Sequence, residues 1–324
     1  MFDVDISMDL VRVTEAAAIE SSKYMGRGDK MAADQAAVDG MEKAFKFMPV
    51  RGTVVIGEGE LDEAPMLYIG QKLGVGKEYM PEMDIAVDPL DGTILIAKGL
   101  PNAVAVIAMG PKGSLLHAPD MYMKKIVVGP QAKGAIDINK SPKENIISVA
   151  KALRKDVSEL TVIVQERERH DFIIDAAREV GARVKLFGEG DVAAALACGF
   201  EDTGIDILMG IGGAPEGVIA AAAIKCMGGE MQAQLVPHSQ AEIDRCQKMG
   251  INDVDKVLGI DDLVRSDDVF FAATAITECD LLKGIVFSKD EWATTHSVIM
   301  RSKTGTIRFV EAKHDLNKSK LVIE

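Results

Sequence analysis

The sequence predicts an α/β protein, and three patterns predict it. Beyond about residue 140, apolar stretches with helical spacing alternate with short β-branched runs, as in an α/β layer. Ahead of that point, two helical stretches give way to buried-strand patterns. After about residue 268 the chain returns to extended segments, so strands open and close the alternating block. At 324 residues there is length for two compact domains.

Leu10 to Met25 places apolar groups on one helical stripe, and a glycine-bearing break, Gly26 to Lys30, follows. A second helix is predicted from about Asp34 to Phe47, where Ala36, Ala37, Met41, Ala44 and Phe45 recur at helical spacing. Thr53–Ile56, Asp84–Val87 and Val104–Met109 are apolar, β-branched and bounded by Gly or Pro, and read as buried strands. The alternating block reads as helix Pro142–Leu153, strand Leu160–Val164, helix Asp171–Val180, strand Arg183–Phe187, a helix from Asp191, strand Ile205–Met209 and helix Pro215–Met227. Extended segments follow near Val269–Ala273, Gly284–Phe287, Ser297–Arg301 and Thr306–Ala312. A domain boundary is expected near residue 155, dividing 1–155 from 156–324.

Composition narrows the function classes. Lys and Arg total 37 against 50 Asp and Glu, a net charge of −13, which repels nucleic acid and anionic lipid. A phosphorylated substrate is repelled too, unless cations and a few basic residues reverse the sign locally. No apolar run approaches the ~20 residues of a membrane span, and the acidic N-terminus lacks a signal-peptide pattern, so a cytoplasmic location is expected. Cys198, Cys226, Cys246 and Cys279 are far apart and form no C-x-x-C pair, which favours buried reduced thiols.

The chemistry concentrates where strands end. In Asp84 to Thr93, an apolar run delivers Asp88, Pro89 is expected to stop the ladder, and Asp91 follows, with Gly92 allowing a tight turn. Two carboxylates held together beside Thr93 repel one another, so a cation is expected; oxygen donors suit Mg²⁺ or Mn²⁺. An N-capping turn is the bland alternative. A second strand ends in Glu58, Glu60, Asp62 and Glu63, which alone reads equally well as a solvated acidic loop. Third, Ile211 to Gly217 places two glycines, Pro215 and Glu216 at a helix start, an arrangement that lets backbone N–H groups approach an anion. Taken singly, that run is an ordinary βα turn.

Together these segments resemble the lithium-sensitive, metal-dependent phosphatase superfamily, and more closely the class II fructose-1,6-bisphosphatases of bacterial type. The motifs that carry the resemblance are G-R-G-D-K-x-x-A-D (Gly26 to Asp34), V-I-G-E-G-E-x-D-E-A-P-M-L (Val55 to Leu67) and D-P-L-D-G-T (Asp88 to Thr93). A-P-D-M-Y-M (Ala118 to Met123), R-H-D (Arg169 to Asp171) and G-I-G-G-A-P-E-G (Gly210 to Gly217) continue it in the same order. The resemblance implies a sugar phosphatase fold, a layered α/β/α/β/α sandwich of two mixed-sheet domains. The implied activity is hydrolysis of fructose 1,6-bisphosphate in gluconeogenesis, with sedoheptulose 1,7-bisphosphate as a further substrate, by a homo-oligomer (dimer or tetramer) using two or three Mn²⁺ or Mg²⁺ ions. Metal ligands then fall on Asp34, Glu58, Asp88, Asp91 and Glu216. Catalytic positions fall on Lys30, Glu60, Asp62 and Thr93, with Asp62 and Thr93 where the attacking water is oriented and deprotonated. Substrate contacts fall on Asp91, Gly92, Thr93, Tyr122, Arg167, Arg169, Glu189, Gly190, Asp191 and Gly213.

The chain departs from the family pattern in three places. Asp91 stands where Glu is frequent, Arg167-Glu168-Arg169 replaces a Lys-Pro-Arg run, and Glu189-Gly190-Asp191 replaces Asp-Gly-Asp. The rival readings are an inositol or nucleotide-type phosphatase and a sugar-phosphate sensor that does not hydrolyse. Against the first, that branch places a Trp-Asp motif where Gly-Gly-Ala-Pro-Glu-Gly stands here, and Trp292 is elsewhere. A sensor has no need of a water-activating Asp62. Among the five histidines only His170 falls near the implied site, so no Ser–His–Asp triad is expected.

Overall fold

A computed structural model describes residues 5–59, 66–289 and 291–318. The chain runs through α1 (Ser7–Ser22), α2 (Lys30–Phe45), β1 (Arg51–Ile56), β2 (Lys72–Leu73), β3 (Glu82–Asp91), α3 (Thr93–Lys98) and β4 (Val104–Pro111). It continues with β5 (Tyr122–Val128), α4 (Pro142–Leu153), β6 (Thr161–Gln165), α5 (Asp171–Glu179), β7 (Arg183–Phe187), α6 (Asp191–Ala197), β8 (Ile207–Gly213) and α7 (Ala214–Met227). Next come β9 (Glu230–Val236), α8 (Gln240–Lys248), β10 (Leu258–Gly259), α9 (Ile260–Leu263), β11 (Phe270–Ala275), β12 (Val286–Ser288), β13 (Trp292–Arg301) and β14 (Thr306–Asp315). This is the α/β class the patterns predict.

The chain forms two compact units. One holds the described residues through Leu115 and those from Ser266 onward; the other is Leu116–Arg265. The division therefore does not fall near residue 155, which lies inside the second unit. Strands β11 to β14 return to the first unit's sheet, and no local pattern records which sheet a strand will join.

In the first unit the sheet order is β12-β13-β11-β4-β3-β1-β2, with β14 on β13. It is mixed: β1 and β3 are parallel, while β3 and β4 are antiparallel. Helices α1 and α2 pack together over one face; their apolar stripes, among them Leu10, Ala17, Met41 and Phe45, join Ile85, Ile107 and Ile299 in one core. Gly40 permits the close helix crossing, because a Cβ there would stand 2.6 Å from the Ala16 carbonyl oxygen. Arg301 is buried and forms a two-pronged ion pair with Asp268 while lying over the Phe270 ring.

The second unit's sheet runs β10-β9-β5-β8-β6-β7, with β6 parallel to both β7 and β8. Its core draws Ile126, Val128, Ile146, Val149, Val162, Ile173 and Ile207 together. Ser141 and Glu144 close a reciprocal capping box on α4. Helix α7 is apolar all round and accordingly buried along most of its length. All four cysteines are free, and three are buried. No helix among the described residues is long and apolar enough to cross a membrane.

Candidate active site

The first unit gathers the N-terminal motifs at one end of its sheet. β1 and β3 are parallel neighbours with Ile56 opposite Ala86, so Glu58 and Asp88 each emerge two residues further along the same edge. Contrary to expectation, Pro89 does not end the strand. β3 runs on to Asp91, which pairs with Val104, and the register shifts between Asp88 and Asp91. A bulge is one of the few places inside a sheet that tolerates a residue without an N–H. Asp88 then accepts from the Leu90 N–H at 3.0 Å, Asp91 is buried, and Gly92 adopts φ 105° to start α3 at Thr93.

The Gly26 to Lys30 loop docks on this turn. The N–H groups of Gly26 and Gly28 donate to the carbonyls of Ile96 and Ala97 in α3, both at 2.9 Å. Asp29 caps α2 by accepting from the Ala32 N–H at 3.0 Å, leaving Lys30 exposed at the first helical position. One turn on, Asp34 is half-buried, and burial pushes its carboxyl above the usual carboxylate range. At the end of β1, Glu58 N–H donates to Leu67 O and Ile69 N–H to Gly59 O, closing the base of the acidic loop. Glu60 and Asp62 lie outside the described residues.

A different constellation forms in the second unit. Tyr122 opens β5 and pairs with Gly213 at the end of β8 and with Val236 of β9. The Arg169 guanidinium lies 5.0 Å over the Tyr122 ring, donates to the Ile211 carbonyl from Nε and Nη2, and reaches Gln165 Oε1 at 2.8 Å. His238 meets the same tyrosine edge-on, ring centroids 5.5 Å apart. Arg169 is thereby fixed, whereas Arg167 is exposed and bonded to the adjacent Glu166 carbonyl. Gly190, at φ 94°, turns the chain into α6 so that Asp191 heads the helix; Glu189 is half-buried just ahead of it.

Gly212 and Gly213 owe their identity to carboxylates and not to turn geometry, since Gly213 has an ordinary φ of −61°. A Cβ on Gly212 would stand 1.9 Å from Asp191 Oδ2, and one on Gly213 would stand 1.7 Å from Glu216 Oε2. The Asp191 and Glu216 carboxylates thus lie where side chains at positions 212 and 213 would begin. Glu216 is half-buried, yet its Oε2 is shielded from solvent and has no hydrogen-bond partner among the described residues. Burial pushes this carboxyl up, with the Lys125 charge opposing. Gly213→Ala is expected to leave the melting temperature nearly unchanged, because the flexible Glu216 end can give way, while raising the divalent-ion concentration needed for activity. A thermal melt paired with a Mn²⁺ titration of activity checks both halves.

One site-adjacent residue escaped sequence reasoning, and another, His170, has a role the sequence left open. Lys125, 5% exposed, donates to Asp191 and to the Gly213 carbonyl. A signal was present, since consecutive lysines inside an otherwise apolar strand must point to opposite faces, sending one inward. His170 is fully buried. Its Nε2 accepts from the Ile211 N–H at 2.8 Å, so Nδ1 carries the proton and donates to the Gln165 carbonyl. Burial pushes this imidazole down, and neutral His170 serves as a strut between β6 and β8, not as a triad member.

Among the described residues no three His, Cys, Asp or Glu side chains stand close enough together to hold an ion. The donor chemistry nevertheless fits a hard cation. The implied ligands are all carboxylates, Asp34 and Glu216 are pushed toward neutrality by burial, and Glu216 presents a shielded oxygen lacking a donor.

The family model for bacterial fructose-1,6-bisphosphatase, glpX-encoded, matches residues 4–314. The chain belongs to this family. It is 46% identical, over 97% of its own length and 96% of theirs, to fructose-1,6-bisphosphatase 1 class 2 of Escherichia coli K12. The same figures hold for the class 2 enzyme of Shigella flexneri. Among solved structures, the extragenic suppressor protein suhB from Bartonella henselae aligns at a TM-score of 0.35 and 16% identity, covering 61% of this chain and 74% of that one. The class 2 fructose-1,6-bisphosphatase family is one of metal-dependent phosphatases.

Proposed function

We propose that this phosphoric monoester hydrolase cleaves the 1-phosphate of fructose 1,6-bisphosphate, giving fructose 6-phosphate and phosphate, in gluconeogenesis. The observation that carries the reading is the near-full-length match to class 2 fructose-1,6-bisphosphatases, on a chain with Glu58 and Asp88 at one edge of parallel strands. Sedoheptulose 1,7-bisphosphate is a second substrate of the same chemistry. The assembly is a cytoplasmic dimer or tetramer.

In this reading Asp34, Glu58, Asp88, Asp91 and Glu216 hold two or three Mg²⁺ or Mn²⁺ ions. Divalent ions supply charge neutralisation at the phosphoryl oxygens, a lowered pKa for water and stabilisation of the leaving oxygen. The protein's own groups do the rest. Asp62 accepts the proton of the attacking water, directly or through the Thr93 hydroxyl, and Glu60 shares its acidic loop. The backbone N–H groups at Gly92 and Thr93 donate to phosphoryl oxygens as charge develops. Lys30, exposed at the start of α2, offers a mobile positive charge to the phosphate under attack.

Contacts to the second phosphate and the sugar are assigned to Tyr122, Arg167, Arg169, Glu189, Gly190, Asp191 and Gly213. Arg169, already fixed by Ile211, Gln165 and Tyr122 through Nε and Nη2, presents the N–H groups of Nη1 to a phosphate at little entropic cost, and Arg167 adds a flexible charge. Asp191 accepts from sugar hydroxyls, with Glu189, Gly190, Gly213 and Tyr122 around it.

Phosphate release tests the reading. Purified protein is given fructose 1,6-bisphosphate, sedoheptulose 1,7-bisphosphate, fructose 6-phosphate or inositol 1-phosphate, each with Mn²⁺, Mg²⁺ or chelator. Metal-dependent release from the bisphosphates alone is expected. Release only from inositol 1-phosphate overturns the substrate, and binding of sugar phosphates without release overturns the reaction.

A further inference from the structure

Lys125 is the most deeply buried lysine beside the implied substrate residues, and no motif singled it out. Its ammonium donates to Asp191 Oδ2 at 2.5 Å and to the Gly213 carbonyl at 2.9 Å. Its stem runs along α7, where a Cβ on Gly217 would stand 3.3 Å from Lys125 Cδ. One cation thus ties three separate segments: the middle of β5, the head of α6, and the junction of β8 with α7. Neighbouring Lys124 donates instead to the Ile138 carbonyl. Lys225, also shielded, donates to Asp261 and the Val264 carbonyl, away from every implied substrate residue. Of these three lysines, Lys125 alone has both acceptors in substrate segments.

Burying an ammonium costs several kcal/mol and is sustained only by well-placed acceptors. The cluster is also unbalanced, with one positive charge among the carboxylates of Asp191 and Glu216. Of the three N–H donors of the ammonium, Asp191 takes one and the Gly213 carbonyl another. Here the same ammonium also fixes the carbonyl of Gly213, the residue whose missing Cβ makes room for Glu216.

We propose that Lys125 is a positioning residue for the bisphosphatase reaction, its ammonium locking the Asp191 carboxylate and the Gly213 carbonyl in the orientation that receives the sugar. The proposal rests on the assignment of Asp191 to substrate made above. Asp191 has few ways to point wrongly while Lys125 holds Oδ2, and its other oxygen is left to accept from a hydroxyl. Without the ammonium, Asp191 swings among rotamers, and substrate binding bears the loss.

Steady-state kinetics with fructose 1,6-bisphosphate at saturating Mn²⁺ test this on Lys125→Met, Lys125→Ala and Asp191→Asn. Losing a charge-assisted hydrogen bond from the binding geometry should raise KM about tenfold or more in Lys125→Met, with kcat changed less than about threefold. Ethylammonium added to Lys125→Ala should bring KM back toward the parent value, and should do nothing for Lys125→Met, whose side chain fills the space. Asp191→Asn in the Lys125→Met background should add little to the loss, because both changes break one interaction. A folded Lys125→Met with KM within about twofold of the parent, while Asp191→Asn raises it, overturns the positioning role and leaves Asp191 in place. Unchanged KM in Asp191→Asn removes the assignment beneath the proposal, and the proposal with it. Should Lys125→Met not fold, Lys125→Ala without ethylammonium is held to the same criterion.

Discussion

Glu216→Gln is expected to make the chelator-treated protein more stable and the enzyme nearly inactive. The stability half follows from burial. Glu216 Oε2 is shielded from solvent without a hydrogen-bond donor, and the Asp191 carboxylate adds repulsion that the single charge of Lys125 must offset for both. Neutralising a desolvated carboxylate in that position should return about 1–3 kcal/mol, read as a higher melting temperature in chelator. Activity moves the other way. If Glu216 is a ligand, glutamine forfeits the charge that binds a divalent ion, and even indirect disturbance of metal sites costs about 10–100-fold. A Mn²⁺ titration of phosphate release measures the displacement. A variant that melts lower in chelator, with the parent's metal requirement, would show that the shielded oxygen has another purpose.

Asp62→Asn should cut kcat by about 10²–10⁴-fold while leaving KM nearly where it was, the signature of lost proton transfer. The side chain keeps its size and loses only the ability to accept a proton from water. Asp62 belongs to the motif V-I-G-E-G-E-x-D, whose flanks are tied together where the Glu58 N–H donates to Leu67 O and the Ile69 N–H to Gly59 O. Parent-like turnover in this variant would move base catalysis to another residue, with Glu60 next to be tested.

Much of this protein could be read along the chain. The spans of α4 and β7 and the start of α6 were legible from periodicity and caps, because amphipathic spacing and a Ser–Glu capping box are local properties. That the acidic runs follow strands β1 and β3 was legible too, since both strands are apolar, β-branched runs bounded by Gly or Pro. Order and spacing of those motifs were enough to point to the bisphosphatase family.

Tertiary structure decided the remainder. It placed β11 to β14 in the first unit and so moved the division away from residue 155, because strand pairing over long sequence separations leaves no local trace. It let β3 run through Pro89, since a bulge opposite β4 accommodates a residue that a regular ladder rejects. It showed that Gly212 and Gly213 make room for the Asp191 and Glu216 carboxylates, a matter of side chains arriving from other segments. Lys125 shows the same limit. Sequence reveals a lysine in an apolar strand, but only the folded sheet shows which face it occupies and which acceptors justify burying its charge.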